Sequence, residues 1–208
     1  MPERVFPRIA ARLSRDLAPT HLDPSALPVK GDHLLNTTMP AAGGPTRPAA
    51  VLVPLVAYPA GVKVILTRRN SALRVHSGQI AFPGGKIDAT DKGPTEAALR
   101  EAREEIGILP ETITPIGYLD PYLTGTGFRI IPVVARIDPV HRLIINPAEV
   151  DEAFEVPFAF LMDKANHELQ TAEWKGALRS FYAMIYEERN IWGATAGIIR
   201  NLYERLYG

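Results

Sequence analysis

The sequence contains no cysteine, no long apolar run and no excess of either charge. Without cysteine, disulfides and thiolate metal sites are excluded. No stretch reaches the roughly 18 consecutive apolar residues of a transmembrane helix. The 23 basic and 23 acidic residues balance, whereas broad binding to nucleic acid or to a membrane surface requires one sign to dominate. We therefore expect a cytoplasmic globular protein with neither a nucleic-acid nor a membrane partner.

The chain length predicts one main domain with an N-terminal decoration. At 208 residues it is long enough for one substantial core and short for two. We predict a helix over 8–17, although arginines at this spacing also occur in a mitochondrial presequence. Residues 18–49, rich in Pro, Gly and Ala, predict a surface-wrapping segment. The predicted organisation is thus an N-terminal helix and wrapping segment over residues 1–49, followed by the main domain over residues 50–208.

Hydrophobic patterning in the main domain predicts alternating strands and helices. A buried strand pair is followed by an irregular loop over 71–94 and a helix from Thr95 to Glu105, with Thr95 as N-cap and Gly107 ending it. The strand pair is predicted over 49–58 and 61–69. Further elements are predicted over 114–120 and 128–138 (strands), 156–163 (a short helix), 168–182 (a polar strand-like stretch) and 191–208 (a closing helix). This order favours a mixed sheet with helices on both faces.

The predicted helix carries an unusual concentration of carboxylates in "LREAREEIGI", residues 99–108. Glu101, Glu104 and Glu105 project within about a quarter-turn of one another. Hard divalent cations such as Mg²⁺ bind oxygen ligands, so this spacing suits a metal site that substrate phosphates complete. The alternative is a solvated helix face on which the neighbouring Arg100 neutralises the glutamates.

The segment "GGKIDATDKGPTEAALREAREEIGI" resembles the Nudix box. Its second half matches that pattern from Arg100 to Ile108, in both residue type and spacing. One extra residue separates Gly85 from Arg100, which places the position of the first box glutamate on Asp91 or Lys92. The resemblance implies a Nudix-type α/β/α sandwich, with a mixed β-sheet flanked by helices.

A second motif lies just upstream, in "ILTRRNSALRVHSGQIAFPGG". Together with the longer box, it resembles the coenzyme A pyrophosphatase branch of the Nudix family. Asn70 stands where that branch usually has Ser or Ala. The signature positions that match are Leu66, Thr67, Arg69, Arg74, Gly78, Phe82, Pro83, Gly84 and Gly85.

This resemblance implies hydrolysis of coenzyme A or its derivatives to 3′,5′-ADP and 4′-phosphopantetheine (or acyl-phosphopantetheine), with Mg²⁺ or Mn²⁺ as cofactor. The metal ligands it implies are Glu101, Glu104 and Glu105. The catalytic residues it implies are Glu101, Glu104 and Arg100, the arginine orienting the carboxylates. The small-molecule substrate is expected to contact Arg69, Arg74, Gly84, Gly85 and Lys86.

Several alternatives remain open at this point. The general base is either a box glutamate, Glu101 or Glu104, or a carboxylate from "NPAEVDEAFEVP", where Glu149 ranks ahead of Asp151 and Glu152. Those acidic residues are equally compatible with the N-terminus of a helix. The substrate is alternatively another nucleoside diphosphate derivative, such as ADP-ribose, NADH or a dinucleoside polyphosphate. The third hypothesis is a non-catalytic module that uses the fold to bind a nucleotide or a protein, and a homodimer is compatible with the sequence.

Overall fold

A computed structural model describes residues 5–23, 25, 30–36, 45–73, 75–174 and 176–208. Within these ranges the strands are β1 (Lys30–Gly31), β2 (Arg47–Tyr58), β3 (Gly61–Arg69), β4 (Ile80–Ala81), β5 (Gly84–Lys86), β6 (Ile113–Tyr118), β7 (Tyr122–Leu123), β8 (Phe128–Ile137), β9 (Val150–Pro157), β10 (Glu168–Trp174), β11 (Ala177–Tyr186) and β12 (Arg189–Trp192). The α-helices are α1 (Val5–Ala10), α2 (Pro19–Leu22), α3 (Pro94–Ile106), α4 (Phe158–Leu161) and α5 (Ala194–Tyr207).

The main sheet is mixed and is organised around β2. This strand pairs in parallel with β8 over ten residues, and antiparallel with β3 and β5. The sheet order among the described strands is β1-β7-β8-β2-β3-β4, while β6 pairs with β8 and β9 with β3. A two-residue turn joins β2 to β3, with Tyr58 opposite Gly61. The predicted strand pair is therefore confirmed.

Helices cover both faces of this sheet, which confirms the predicted α/β/α sandwich. On one face α3 packs its fully buried Ala97, Ala98 and Ala102 against β2 and β8. Alanine has almost no side chain, so the helix can approach the sheet closely. On the other face α1, α4 and α5 share a second apolar cluster, to which they contribute Ile9 and Leu161 among other residues.

The polar stretch predicted as strand-like over 168–182 is a hairpin. Strands β10 and β11 pair antiparallel, with Trp174 opposite Ala177, and β12 pairs with the other edge of β11. The closing helix predicted from residue 191 begins only at Ala194, because Ile191 and Trp192 belong to β12. The backbone of these two residues pairs with β11, and the helix starts after the positive φ of Gly193 (64°).

The prediction of a helix over 8–17 is wrong in its extent. α1 ends at Ala10. Beyond it, the Ser14 backbone N–H donates to the Tyr118 carbonyl (3.1 Å), and the Tyr118 N–H donates to the Ser14 carbonyl (2.8 Å). This pairing with β6 supplies the hydrogen bonds that a longer helix would have formed internally, so the chain leaves the helical path.

The N-terminal segment contributes to the main core. Phe6, Ile9 and Leu13 are buried there, and β2 begins at Arg47. The division at residue 49 stays a prediction. Among the described residues, no helix is both long and apolar enough to span a membrane.

Candidate functional site

Helix α3 is fixed at both ends by local sequence signals. Pro94 occupies its first turn, where a missing N–H is harmless, and Gly93 precedes it. Gly107 ends the helix in the left-handed conformation (φ 69°), and its N–H donates to the Arg103 carbonyl at 3.0 Å. Thr95 is not the N-cap, contrary to prediction. It lies inside the helix, and its hydroxyl bonds the Tyr118 hydroxyl (2.7 Å).

Three carboxylates meet beside this helix. Oxygen atoms of Glu101, Glu105 and Glu149 all lie within 4.8 Å of one another. Glu105 is buried, at 3% exposure, and the Glu101 side chain is 15% exposed. Glu149 arrives from a distant loop, one residue before β9. We call Glu101, Glu105 and Glu149 the carboxylate cluster.

The positive charge beside the carboxylate cluster comes from Arg69 and Arg100, and burial outweighs its effect on the pKa values of Glu101 and Glu105. Burial raises the pKa of Glu105 to about 8, although the Gly84 N–H and the Arg69 guanidinium act in the opposite direction. The Arg69 Nη1 lies 3.8 Å from Glu105 Oε1, too far for a hydrogen bond. Burial also raises the pKa of Glu101, against the lowering effect of Arg100. A bound cation would therefore stabilise the ionised cluster.

Gly84 and Gly85 lie directly against the carboxylate cluster, and we call these two residues the glycine wall. The Gly84 N–H donates to Glu105 Oε2 at 3.3 Å. A Cβ on Gly85 would lie 2.5 Å from Glu101 Oε1, and one on Gly84 would lie 2.4 Å from the Ala50 carbonyl oxygen. Any side chain at these positions would therefore displace either a cluster carboxylate or the neighbouring strand β2.

Arg100 orients the glutamates next to it. Its Nη1 donates to Glu101 Oε1 (2.9 Å) and to Glu104 Oε2 (3.1 Å), and its Nη2 donates to the Lys86 carbonyl (3.2 Å). The Nε and Nη2 atoms donate to the two oxygens of Asp91, each at 3.0 Å. This bidentate contact holds the pKa of Asp91 below its ordinary value.

Asp91 is a residue whose role the sequence left undefined. Its side chain is only 4% exposed and anchors Arg100 from outside α3. The signal was present in the sequence, because Asp91 is one of the two residues at the position of the first box glutamate. The choice between Asp91 and Lys92 follows from charge, since only the aspartate can pair with an arginine.

The other predicted site residues that the structure describes lie outside the carboxylate cluster. The Glu104 side chain is 51% exposed and bonds Arg100, outside the three-carboxylate group. The Lys86 side chain is exposed, and its carbonyl is the group that contacts Arg100. Arg69 lies beside Glu105. Arg74 is outside the described residues.

Of the three downstream carboxylates, Glu149 alone joins the cluster. Asp151 accepts a hydrogen bond from the Ser71 N–H (2.9 Å). Glu152 forms ion pairs with Arg68 (3.1 Å) and Arg189 (2.6 Å). These acidic residues lie at the start of strand β9. The alternative interpretation, that they belong to the N-terminus of a helix, is therefore wrong.

The donor set of the carboxylate cluster fits a hard divalent cation. All three side chains offer oxygen atoms, as such cations prefer. Among the described residues the buried Glu105 has a long ion pair with Arg69, at 3.8 Å, and a bound cation would supply a closer positive charge.

Comparison with known proteins identifies the family. A family model described as the NUDIX domain matches residues 46–177. A protein named "Uncharacterized Nudix hydrolase NudL" from Pectobacterium atrosepticum is 41% identical over 75% of this chain and 81% of its own length. The protein of that name from Escherichia coli (strain SMS-3-5 / SECEC) has the same identity and coverage. The crystal structure of a MutT/nudix family protein from Enterococcus faecalis, 16% identical, covers 78% of this chain and 62% of that chain with a TM-score of 0.49.

The matched region contains the whole of α3, the two glycines and Glu149. The carboxylate cluster thus lies inside the family domain, and members of this family generally use divalent metal ions. The chain belongs to the Nudix hydrolase family and is an enzyme that acts on the pyrophosphate bond of a nucleoside diphosphate derivative.

Proposed function

We propose that this enzyme hydrolyses the diphosphate bond of coenzyme A or a coenzyme A derivative. The products are 3′,5′-ADP and 4′-phosphopantetheine, or acyl-phosphopantetheine from a thioester. The observation that supports this proposal is the position of the upstream motif. Its Arg69 lies 3.8 Å from Glu105, and the N–H of its Gly84 donates to the same carboxylate.

The charge distribution around Arg69 favours a polyanionic substrate. Among the described residues its Nε has no hydrogen-bond partner, and its closest ion pair is the long one with Glu105. Arg68 differs, because it already pairs with Glu152 at 3.1 Å. Arg69 can therefore turn a guanidinium toward a phosphate without giving up a strong contact. Coenzyme A has a 3′-phosphate in addition to its diphosphate, so it offers more than one such group.

We assign metal binding to Glu101, Glu105 and Glu149, with Mg²⁺ or Mn²⁺ as the cation. When bound, the cation supplies Lewis-acid stabilisation of charge on the diphosphate oxygens. Arg100 holds Glu101 in orientation through its Nη1. The predicted role of Glu104, as a ligand or as the general base, stays a prediction.

The chain's own residues account for positioning and charge. The two glycines let Glu101 and strand β2 approach closely, where any Cβ would collide with them. Arg69, beside Glu105, and the exposed Lys86, next to Gly85, offer positive charge near the carboxylate cluster. Catalysis of phosphoryl transfer depends largely on such positioning and electrostatic stabilisation.

A product assay separates this proposal from its main alternative. The purified protein is incubated with Mg²⁺ or Mn²⁺ and with coenzyme A, NADH, ADP-ribose or diadenosine polyphosphates, and the products are separated by chromatography. Preferential release of 3′,5′-ADP from coenzyme A supports the proposal. Cleavage of the other compounds with coenzyme A left intact would assign the enzyme to another nucleoside diphosphate derivative.

The Glu105→Gln variant is the control for contaminating hydrolases. It keeps the side-chain volume and removes the charge of a residue in the carboxylate cluster, so activity must fall by several orders of magnitude.

The cytoplasmic location and the homodimer stay predictions. Light scattering coupled to size-exclusion chromatography measures the oligomeric state.

A further inference from the structure

The loop before β9 is attached directly to the end of α3. The backbone N–H of Asn146 donates to the Glu105 carbonyl at 2.8 Å, and the Ile144 N–H donates to the Ile106 carbonyl at 2.8 Å. Residues 144–146 therefore run along the last turn of the helix that contains Glu101 and Glu105. This attachment fixes where the loop starts relative to the carboxylate cluster.

Asn146 also organises the turn that leads to Glu149. Its carbonyl accepts hydrogen bonds from the N–H groups of Glu149 (3.0 Å) and Val150 (2.9 Å), and its Oδ1 accepts one from the Ala148 N–H (3.1 Å). The side-chain Nδ2 donates to Glu149 Oε1 at 3.2 Å. A single residue thus contacts the helix, the turn and the carboxylate that the turn delivers.

The side chain of Glu149 needs such a contact. It lies within 4.8 Å of two other carboxylates, and like charges at this distance repel. Asn70 holds the backbone of the residue, because its N–H donates to the Glu149 carbonyl at 2.8 Å. That bond does not restrict the side-chain torsions. Among the described residues, Asn146 is the hydrogen-bond donor to the Glu149 carboxylate.

We propose that Asn146 is a positioning residue, which holds the Glu149 carboxylate in the cluster through its Nδ2 so that three ligand groups face one cation. The inference rests on the proposed function of the carboxylate cluster as a divalent-metal site. Groups that hydrogen-bond a metal ligand fix its orientation, and their loss typically lowers metal affinity about 10- to 100-fold.

The test measures binding of Mn²⁺ alone. Protein is titrated with Mn²⁺, and the free ion is quantified by its electron paramagnetic resonance signal. Asn146→Ser is the informative variant, because the hydroxyl can still accept from the Ala148 N–H but is too short to reach Glu149. We expect Mn²⁺ affinity to fall about 10-fold.

Asn166→Ser is the matched control. The Asn166 Nδ2 donates to the Phe160 carbonyl at 2.9 Å, in a turn that does not contact the carboxylate cluster. The control therefore loses a side-chain hydrogen bond of similar length and keeps the Mn²⁺ affinity of the wild-type protein. An equal loss of affinity in both variants would overturn the proposal.

A double-mutant cycle with Glu149→Ala separates positioning from general damage to the loop. If Asn146 acts through Glu149, Asn146→Ser has no further effect on Mn²⁺ affinity once Glu149 is alanine. A full 10-fold effect in the Glu149→Ala background would show that Asn146 supports the site in another way, and would overturn the proposal. Should Asn146→Ser fail to fold, Asn146→Ala replaces it in the same cycle, because alanine also lacks the donor and adds no charge beside the cluster.

Glu105→Gln distinguishes failure of this inference from failure of the proposed function. Loss of Mn²⁺ binding in Glu105→Gln together with wild-type affinity in Asn146→Ser would reject the positioning role and keep the metal site. Wild-type affinity in Glu105→Gln would reject the metal site itself. Loss of affinity in both, with the cycle showing coupling to Glu149, supports both conclusions.

Discussion

Replacing Glu105 by glutamine should stabilise the metal-free protein, and increasingly so as the pH rises. Burial raises the pKa of this carboxyl from 4.5 to about 8 in the folded state. Between these values the unfolded chain has released the proton while the folded chain retains it. The folded state thus binds more protons, so stability falls as the pH rises through this window. Glutamine does not ionise and lacks this loss.

The size of the effect follows from the two pKa values. Integrating the difference in bound protons between pH 5 and pH 8 gives at most about 3.5 kcal/mol of stability that the wild-type protein loses and the variant keeps. Carboxyl groups outside the carboxylate cluster titrate equally in both proteins, so they cancel in the comparison. The measured quantity is therefore the difference in free energy of unfolding between variant and wild type at each pH.

Urea unfolding followed by circular dichroism, with EDTA present, gives this difference at pH 5, 6, 7 and 8. Glu104→Gln is the matched control, because that side chain is 51% exposed and lies one residue away on the same helix. Its stability difference from wild type should not follow the rise seen for Glu105→Gln. Parallel stabilities of wild type and Glu105→Gln across this pH range would refute the argument from burial.

Added Mn²⁺ at one hundred times its dissociation constant should restore about 2.7 kcal/mol to the wild-type protein at pH 8 and less to the variant.

Three further substitutions test individual contacts. Gly85→Ala places a Cβ 2.5 Å from Glu101 Oε1, so kcat should drop about 100-fold through displacement of the carboxylate, and an unchanged kcat would contradict the close approach. Asp91→Asn weakens the bidentate contact with Arg100 and should cost about 1–3 kcal/mol in urea unfolding at pH 7. Because the pKa of Asp91 is lowered, this cost should vanish as the pH falls through and below the unfolded value near 3.8; a constant cost would show that charge is not involved. Tyr122→Phe removes a buried hydroxyl that donates to the N-terminal segment at 2.6 Å and should lower stability by about 1–2 kcal/mol without changing Mn²⁺ affinity.

The parts of the fold that follow from the sequence are those with strong local signals. The strand predicted over 61–69 matches β3 in both bounds, and the helix predicted from Thr95 to Glu105 differs from α3 by one residue at each end. Apolar runs and a terminating glycine suffice for these elements. The helix predicted over 8–17 failed because Ser14 pairs with a strand a hundred positions later, and no local pattern reports such a partner.

The site residues that lie close together in the sequence were predictable, whereas those brought in by tertiary contacts were not. Glu101 and Glu105 share one face of α3 by helical spacing, and the structure brings both into the cluster. Spacing alone could not separate them from Glu104, because all three project on the same side of an isolated helix. The separation comes from the sheet and from the glycine wall, which bury Glu105 and leave Glu104 half-exposed. Glu149 was one of three acidic candidates, and only tertiary pairing selects it.

The parallel pairing of β2 with β8 bears on how quickly the protein can reach its native state. Arg47 lies opposite Phe128 and Val56 opposite Ile137, partners that are 81 positions apart in the chain. The loop between them must close before the central pair forms, and such non-local topologies typically fold in milliseconds to seconds. During synthesis Glu101 and Glu105 emerge well before Glu149 does. The carboxylate cluster is therefore complete only after β9, which directly follows Glu149, has paired with β3.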